Sequence, residues 1–76
     1  MVRVKVRVYA KLREELGFRE RVFEADTISD LLETLGVNAA SVVVAVNGEL
    51  VETSKSPEFR LVDGDTVDVM PPFSGG

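Results

Sequence analysis

The stretch DTISDLLETLG, Asp26 to Gly36, contains a helix and the signals for both of its ends. Thr27 is a good N-cap, because its side-chain oxygen can accept from a free amide of the first turn. Asp30 stands three residues later, as in a capping box, although it is shorter than the Glu preferred there. Ile28, Leu31, Leu32 and Leu35 fall at i, i+3, i+4 and i+7, which is one face of a helix. Gly36 supplies the left-handed stop. The spacing predicts a helix of roughly two to three turns with one apolar face to bury.

Strands surround it. Val2, Val4, Val6 and Val8 alternate with Arg3, Lys5, Arg7 and Tyr9, which is the period of a half-buried strand with its valines inward. KLREELGFRE (Lys11 to Glu20) carries Gly17 and reads as a turn. RVFEA (Arg21 to Ala25) reads as a second strand, in a hairpin with the first. Beyond the helix, SVVVAVNGELV (Ser41 to Val51) is a buried strand running into Asn47-Gly48, a strong two-residue hairpin signal. A short strand is expected around Leu50. ETSKSPEF (Glu52 to Phe59) is loop, because Pro57 and the small polar residues discourage a ladder. In LVDGDTVDVM (Leu61 to Met70) a tight turn falls at Asp63-Gly64 and a last strand at Thr66 to Met70. Pro71 and Pro72 end it, since neither can donate to a ladder.

The expected order is β-β-α-β-β-β. This is an α+β fold, a mixed sheet of four to five strands packed on one main helix. The helical crossover favours parallel neighbours, which puts the first and last strands side by side in the middle. Residues 1–70 form the domain and residues 71–76 a flexible tail ending in Gly-Gly.

Composition narrows the function. The 76 residues contain no His and no Cys. That removes disulfides, Ser-His-Asp and Cys-His triads, and the usual zinc and iron–sulfur ligand sets. No metal site is expected. The isolated glycines are turn and cap residues rather than a phosphate cradle. Glu14-Glu15 and Asp63/Asp65 could in principle act as acid and base, but read as solvated surface. A domain this small has little room for a closed pocket, so a stand-alone enzyme is not expected. Nine Lys and Arg against thirteen Asp and Glu give a net charge of −4. With one Tyr and no Trp, this is a poor nucleic-acid binder. The charge is lopsided: residues 1–21 hold seven basic and three acidic side chains, while residues 22–76 hold two and ten. The acidic part, which includes the tail region, favours a basic protein partner. The longest nearly apolar run, AASVVVAV (Ala39 to Val46), is too short to span a bilayer, and MVRVKVRV has no signal-peptide core. A cytoplasmic protein with no membrane contact is expected.

Two features remain. On the outward sheet face, Arg3, Lys5 and Arg7 lie opposite the valines of the first strand, and Asp68 on the last can pair with one of them. Tyr9 and Met70 are apolar yet fall on that charged face, and Leu50 joins them. They are either ordinary exposed apolar residues or a docking patch at the exit of the tail. The second feature is the end, PPFSGG. Its six residues reach about 20 Å when extended, stiff at the prolines. Gly75 and Gly76 have no side chains, so they could thread a narrow channel and present the terminal carboxylate to another protein's active site. An ionised carboxylate is a poor electrophile at neutral pH. It must be activated, most simply as an acyl-adenylate from ATP, and can then accept sulfur or a Lys amine.

These segments resemble the ubiquitin-like β-grasp sulfur carriers, most closely the small subunit of molybdopterin synthase, over essentially the whole chain. The resemblance lies in VYAKLREELG (Val8 to Gly17), TISDLLETL (Thr27 to Leu35), AVNGELV (Ala45 to Val51) and LVDGDTVDVMPPFSGG (Leu61 to Gly76). Its most specific part is the DGD turn followed by a strand and the double-proline, Gly-Gly end. It implies that a ubiquitin-activating-type adenylyltransferase uses ATP to adenylate Gly76, which becomes a thiocarboxylate. It further implies that the sulfur is donated in molybdopterin biosynthesis, within the large subunit of the synthase. Pro71, Pro72, Phe73, Ser74 and Gly75 would lie in the partner's channel, and Tyr9, Leu50 and Met70 match the partner-docking positions. The carrier itself binds no cofactor. Similar carriers serve thiamin synthesis, usually without the double proline, or tRNA thiolation, and some become joined to target-protein lysines. Ubiquitin has Arg before its Gly-Gly where this chain has Ser74, which argues against recognition by ubiquitin's own activating enzyme. Sulfur carrier, protein modifier and interaction domain with an inert tail therefore all stand as readings.

Overall fold

A computed structural model describes residues 1–55 and 57–72. The alternating valines form strand β1 (Val2–Val8), with Val4, Val6 and Val8 buried and Arg3 and Lys5 exposed. There follow α1 (Lys11–Leu16), β2 (Glu20–Ala25), α2 (Ile28–Leu35), β3 (Val43–Val46), β4 (Glu49–Val51) and β5 (Thr66–Met70). Single 3-10 turns lie at Ala39–Ser41 and Thr53–Lys55. The five strands form one sheet in the order β2-β1-β5-β3-β4. β1 and β5 run parallel at its centre, with Val6 beside Val67 and Val8 beside Val69, and the other pairs are antiparallel. The mixed sheet with central first and last strands is thus as expected.

α2 packs its apolar face on this sheet. Ile28 and Leu31 are fully buried and Leu32 nearly so, against Val4, Val6, Val44, Val67 and Val69. Burying each such side chain contributes about 1.5–3 kcal/mol, which is the main source of stability in a chain without cross-links. Leu35, the last of the expected face, is only half-buried at its margin. The short Asp30 closes the capping box after all. Its amide donates to Thr27 Oγ1 at 3.1 Å, and the Thr27 amide donates to Asp30 Oδ2 at 3.3 Å. Gly36, at φ 76°, ends the helix with its amide on the Glu33 carbonyl.

The DGD turn is a clamp at the start of the central strands. Arg3 donates its amide to Asp63 Oδ1 at 2.9 Å, and the Gly64 amide donates to the Arg3 carbonyl at 2.9 Å. Asp65 accepts from the Val62 amide and from Asn47 Nδ2, while Asn47 Oδ1 accepts from the Thr66 amide. Two turns far apart in sequence are therefore pinned together by side chains that cap them.

The connection between β1 and β2 differs from expectation. KLREELGFRE is not a turn throughout: Lys11–Leu16 is a six-residue helix, and Gly17 is its left-handed cap, donating to the Arg13 carbonyl at 2.9 Å. The helix lacks the start signal that α2 carries. Its N-cap position is Ala10, which offers no side-chain acceptor. Only Leu12 is buried, so the amphipathic pattern spans too few residues to register as periodic. The strand expected from Ser41 is likewise shorter, since Ala39–Ser41 forms a 3-10 turn and the ladder starts at Val43.

Ala10 carries backbone strain. It sits at φ 53° and ψ −134°, in a turn closed by the Leu12 amide donating to the Tyr9 carbonyl at 3.2 Å. That conformation is the one glycine adopts at the first central position of a mirror-image turn. Replacing Ala10 by Gly is expected to stabilise the fold by about 1 kcal/mol, the relieved strain exceeding the added unfolded-state entropy. In a domain of this size that is a rise in Tm of about 5 °C, and thermal unfolding followed by circular dichroism measures it. A lower Tm would show that the turn is not strained.

Candidate functional site

The parallel register of β1 and β5 sends both strands out at one end of the sheet. Tyr9 follows β1 and donates its amide to the Val69 carbonyl at 3.2 Å. Met70 ends β5, and Pro71 and Pro72 follow. The two prolines line a groove of about 350 Å³ with Lys11, Leu12 and Glu15 of α1 and with Gly36 to Asn38, Ser41 and Val42 beyond α2. The root of the tail is therefore seated between two structured segments. Phe73, Ser74, Gly75 and Gly76, expected to carry the reactive end, lie outside the described residues.

The outward face beside this root is built in rows by the strand register. One row runs Glu20, Arg7, Asp68, Ala45, Leu50 across all five strands. Asp68 is its centre and the one buried charged side chain among the described residues, at 8 % exposure. It is held from two sides. Arg7 donates Nε to Oδ1 at 2.7 Å and Nη2 to Oδ2 at 3.1 Å, a two-pronged pair, and the Tyr9 hydroxyl donates to Oδ1 at 3.3 Å. The hydrogen bond to Asp68, then its charge, raise the pKa of Arg7 above the ordinary guanidinium value.

Of the three basic residues expected as partners of Asp68, Arg7 is the one that pairs. Arg3 faces Glu24 instead, at 3.8 Å and largely exposed. Tyr9, Met70 and Leu50 share this face. Tyr9 and Met70 are half-buried at the exit of the tail, and Leu50 is 72 % exposed on β4 at the far edge. Sequence parity placed all three correctly but missed the polar role of Tyr9. Its hydroxyl reaches Asp68, and the Arg13 guanidinium lies 5.7 Å from its ring centroid. The register of Val8 beside Val69 is what brings the phenol to Asp68, and that register is set by long-range pairing. Among the described residues, no helix is long and apolar enough to cross a membrane, and no group of three or more His, Cys, Asp or Glu is placed to hold a metal ion.

A mixed five-stranded sheet wrapped on one main helix, with its tail leaving beside the central strand, is the ubiquitin-like β-grasp architecture. The chain belongs to the ThiS family, whose family model matches residues 6–76. It is 33 % identical over 85 aligned residues to the molybdopterin synthase sulfur carrier subunit of Chlamydomonas reinhardtii, covering 99 % of this chain and 100 % of that one. It is 36 % identical over 61 residues to the sulfur carrier protein ThiS of Thermus thermophilus, covering 80 % of this chain and 95 % of that one. Among solved structures, the small archaeal modifier protein 1 of Methanosarcina acetivorans superposes with a TM-score of 0.83 at 26 % identity, covering 100 % of this chain and 98 % of that one. The family expected from the sequence is the one found.

The Asp68 geometry predicts an order of effects. Arg7→Ala leaves a nearly buried carboxylate with only the Tyr9 hydroxyl, whereas Asp68→Ala leaves a guanidinium that water can reach. Arg7→Ala is therefore expected to lower Tm more than Asp68→Ala. Adding Asp68→Ala to Arg7→Ala should recover part of the loss. Thermal unfolding of the three variants checks this, and equal effects of the two single changes would contradict it.

Proposed function

We propose that this chain is a sulfur carrier whose Gly76 carboxylate is adenylated and then thiocarboxylated, and that it donates sulfur in molybdopterin biosynthesis. The observation that carries the reading is the placement of the tail root. The central β1–β5 pair delivers Pro71 and Pro72 to the same end of the sheet as Tyr9 and Met70. A partner that holds Tyr9 and Met70 therefore lies next to the point where the chain leaves the sheet. The chemistry needs nothing from the carrier beyond its end. A carboxylate oxygen of Gly76 attacks the α-phosphorus of ATP on an adenylyltransferase and pyrophosphate leaves. Hydrosulfide then attacks the acyl carbon, AMP leaves and the S–H proton is lost to solvent. The resulting thiocarboxylate is a far better nucleophile than the carboxylate. Its sulfur attacks the substrate in the large subunit of the synthase, and water then cleaves the bond between that sulfur and the acyl carbon, leaving sulfur on the substrate and a carboxylate on Gly76, so the catalytic groups belong to the partners. The likeness to the Chlamydomonas carrier over its whole length and the Pro71-Pro72 pair favour molybdopterin over thiamin as the pathway.

A second reading has its own support. The likeness to an archaeal modifier protein extends over all of this chain, and an adenylated Gly76 can also acylate a deprotonated Lys amine, with AMP leaving. The sign of that activity is a Gly-Gly remnant on lysines of other proteins after protease digestion.

Incubation with ATP, the cognate activating enzyme and a sulfur donor is expected to replace one terminal oxygen by sulfur, read from the intact mass. Removal of Gly75 and Gly76 is expected to abolish that exchange and leave Tm unchanged. An unchanged mass with an enzyme competent on another carrier would refute the proposal. Leu50→Arg is expected to weaken binding to the large subunit by about tenfold or more, as loss of an apolar anchor does, without lowering Tm. Calorimetric titration measures this, and unchanged affinity would remove Leu50 from the docking surface.

A further inference from the structure

A second cleft, also about 350 Å³, is lined by Arg7, Val8, Tyr9, Arg13, Arg19 and Glu20. Like the tail-root groove it borders α1, which contributes Lys11, Leu12 and Glu15 to the groove and Arg13 to this cleft. The basic excess of residues 1–21 thus gathers three guanidiniums beside the exit of the tail, in a chain whose net charge is −4.

Two of the three are held in place. Arg7 is fixed by its two-pronged pair with Asp68. Arg13 donates Nε to the Val8 carbonyl at 3.0 Å and lies against the Tyr9 ring, and among the described residues neither of its terminal nitrogens has a hydrogen-bond partner. Arg19 is exposed, and its side chain has no ion pair or hydrogen bond among the described residues. Of the two nearby carboxylates, Asp68 is already occupied by Arg7 and Tyr9. Glu20, beside Arg7 in register, is the other. The cleft therefore keeps a net positive charge, with the Arg7 and Arg13 guanidiniums fixed in direction.

We propose that this cleft is an anchor for an acidic segment of the protein that receives the tail, its Asp or Glu carboxylates pairing with Arg13 and Arg19. Guanidinium forks match carboxylates two-prong to two-prong. Continuity with the tail root is the reason for a protein occupant. The groove that seats Pro71 and Pro72 and this cleft both border the six-residue α1, so a partner gripping the tail lies beside both. A free phosphate is served less well. The cleft is open, it collects no run of backbone amides, and Glu20 stands on its rim. The anchor adjoins the apolar patch at Tyr9 and is separate from Leu50, which lies at the opposite edge of the sheet, three strand spacings or about 14 Å from β1. It gives the partner a charged contact that sets the direction of approach and speeds encounter. The inference rests on the reading of the chain as a carrier whose tail enters a partner.

The test uses the full 76-residue protein, isotope-labelled, titrated with a short blocked peptide of Asp, Glu and Gly and separately with inorganic phosphate. The peptide is expected to shift the backbone amides of Tyr9, Arg13 and Arg19 and the Nε–H signal of Arg13. The shifts should weaken at least tenfold in affinity between about 0.05 and 0.5 M salt. Arg19→Glu should abolish them, and Arg19→Gln should reduce them severalfold while Tm holds. Lys55→Glu, which changes net charge equally but does not line the cleft, should leave them in place. Absence of shifts at Arg13 and Arg19, equal loss in Lys55→Glu, or phosphate binding as tightly as the peptide would each overturn the proposal. Peptide binding requires no activation of Gly76. A protein that binds the peptide but never forms a thiocarboxylate would therefore fail as a carrier while keeping the anchor.

Discussion

The parallel ladder between β1 and β5 is the constraint on which everything else depends. It joins strands that begin at Val2 and Thr66, and it does so at the centre of the sheet rather than at an edge. Valines from both strands supply the floor of the core, so the pairing that sets the register is also the pairing that buries most apolar surface. A slip of one residue would turn Val67 and Val69 to water and Asp68 into the core. The DGD turn guards against that slip from one end, through Arg3, and the Arg7–Asp68 pair guards it from the other.

The same ladder organises the outer face. Because cross-strand neighbours share a side, a single register places Asp68 beneath Arg7 and within reach of Tyr9, and places Ala45 and Leu50 in the same row. The two functions of the strand pair are thus carried by its two faces. Even-numbered valines of β1 and odd-numbered valines of β5 hold the domain together. The alternate residues make a charged and apolar surface around the point where the chain leaves the sheet.

What could be read in advance was whatever is local. The helix α2 announces itself through Thr27, Asp30, four spaced aliphatics and Gly36, each of which acts within a turn or two. The hairpin at Asn47-Gly48 is equally local, because positive φ at both positions is a property of those residues. α1 escaped because Ala10 starts it without a cap and Leu12 alone anchors it. At the site, parity gave the face on which Tyr9, Leu50, Met70 and Asp68 lie. It did not choose among Arg3, Lys5 and Arg7, since that choice depends on which residue of β1 sits beside Asp68. The arginine cleft was less visible still. Arg7, Arg13 and Arg19 come from a strand, a helix and a loop, and only the packing of α1 against the strand ends brings them together.

The span of the central pair has a consequence for how the molecule is made. Arg7 and Asp68 meet across 61 positions of sequence, so the defining contacts are among the most non-local the chain can form. Such topologies fold slowly, because loop-closure entropy is spent before the contacts reward it. On the ribosome, the early hairpin and α2 emerge while the middle of their sheet is still missing. The gap between β1 and β3 closes only when β5 has been synthesised and released. A truncated chain therefore exposes an unpaired central edge, a target for chaperones and proteases, and only the finished molecule presents the outer face that the β1–β5 register assembles.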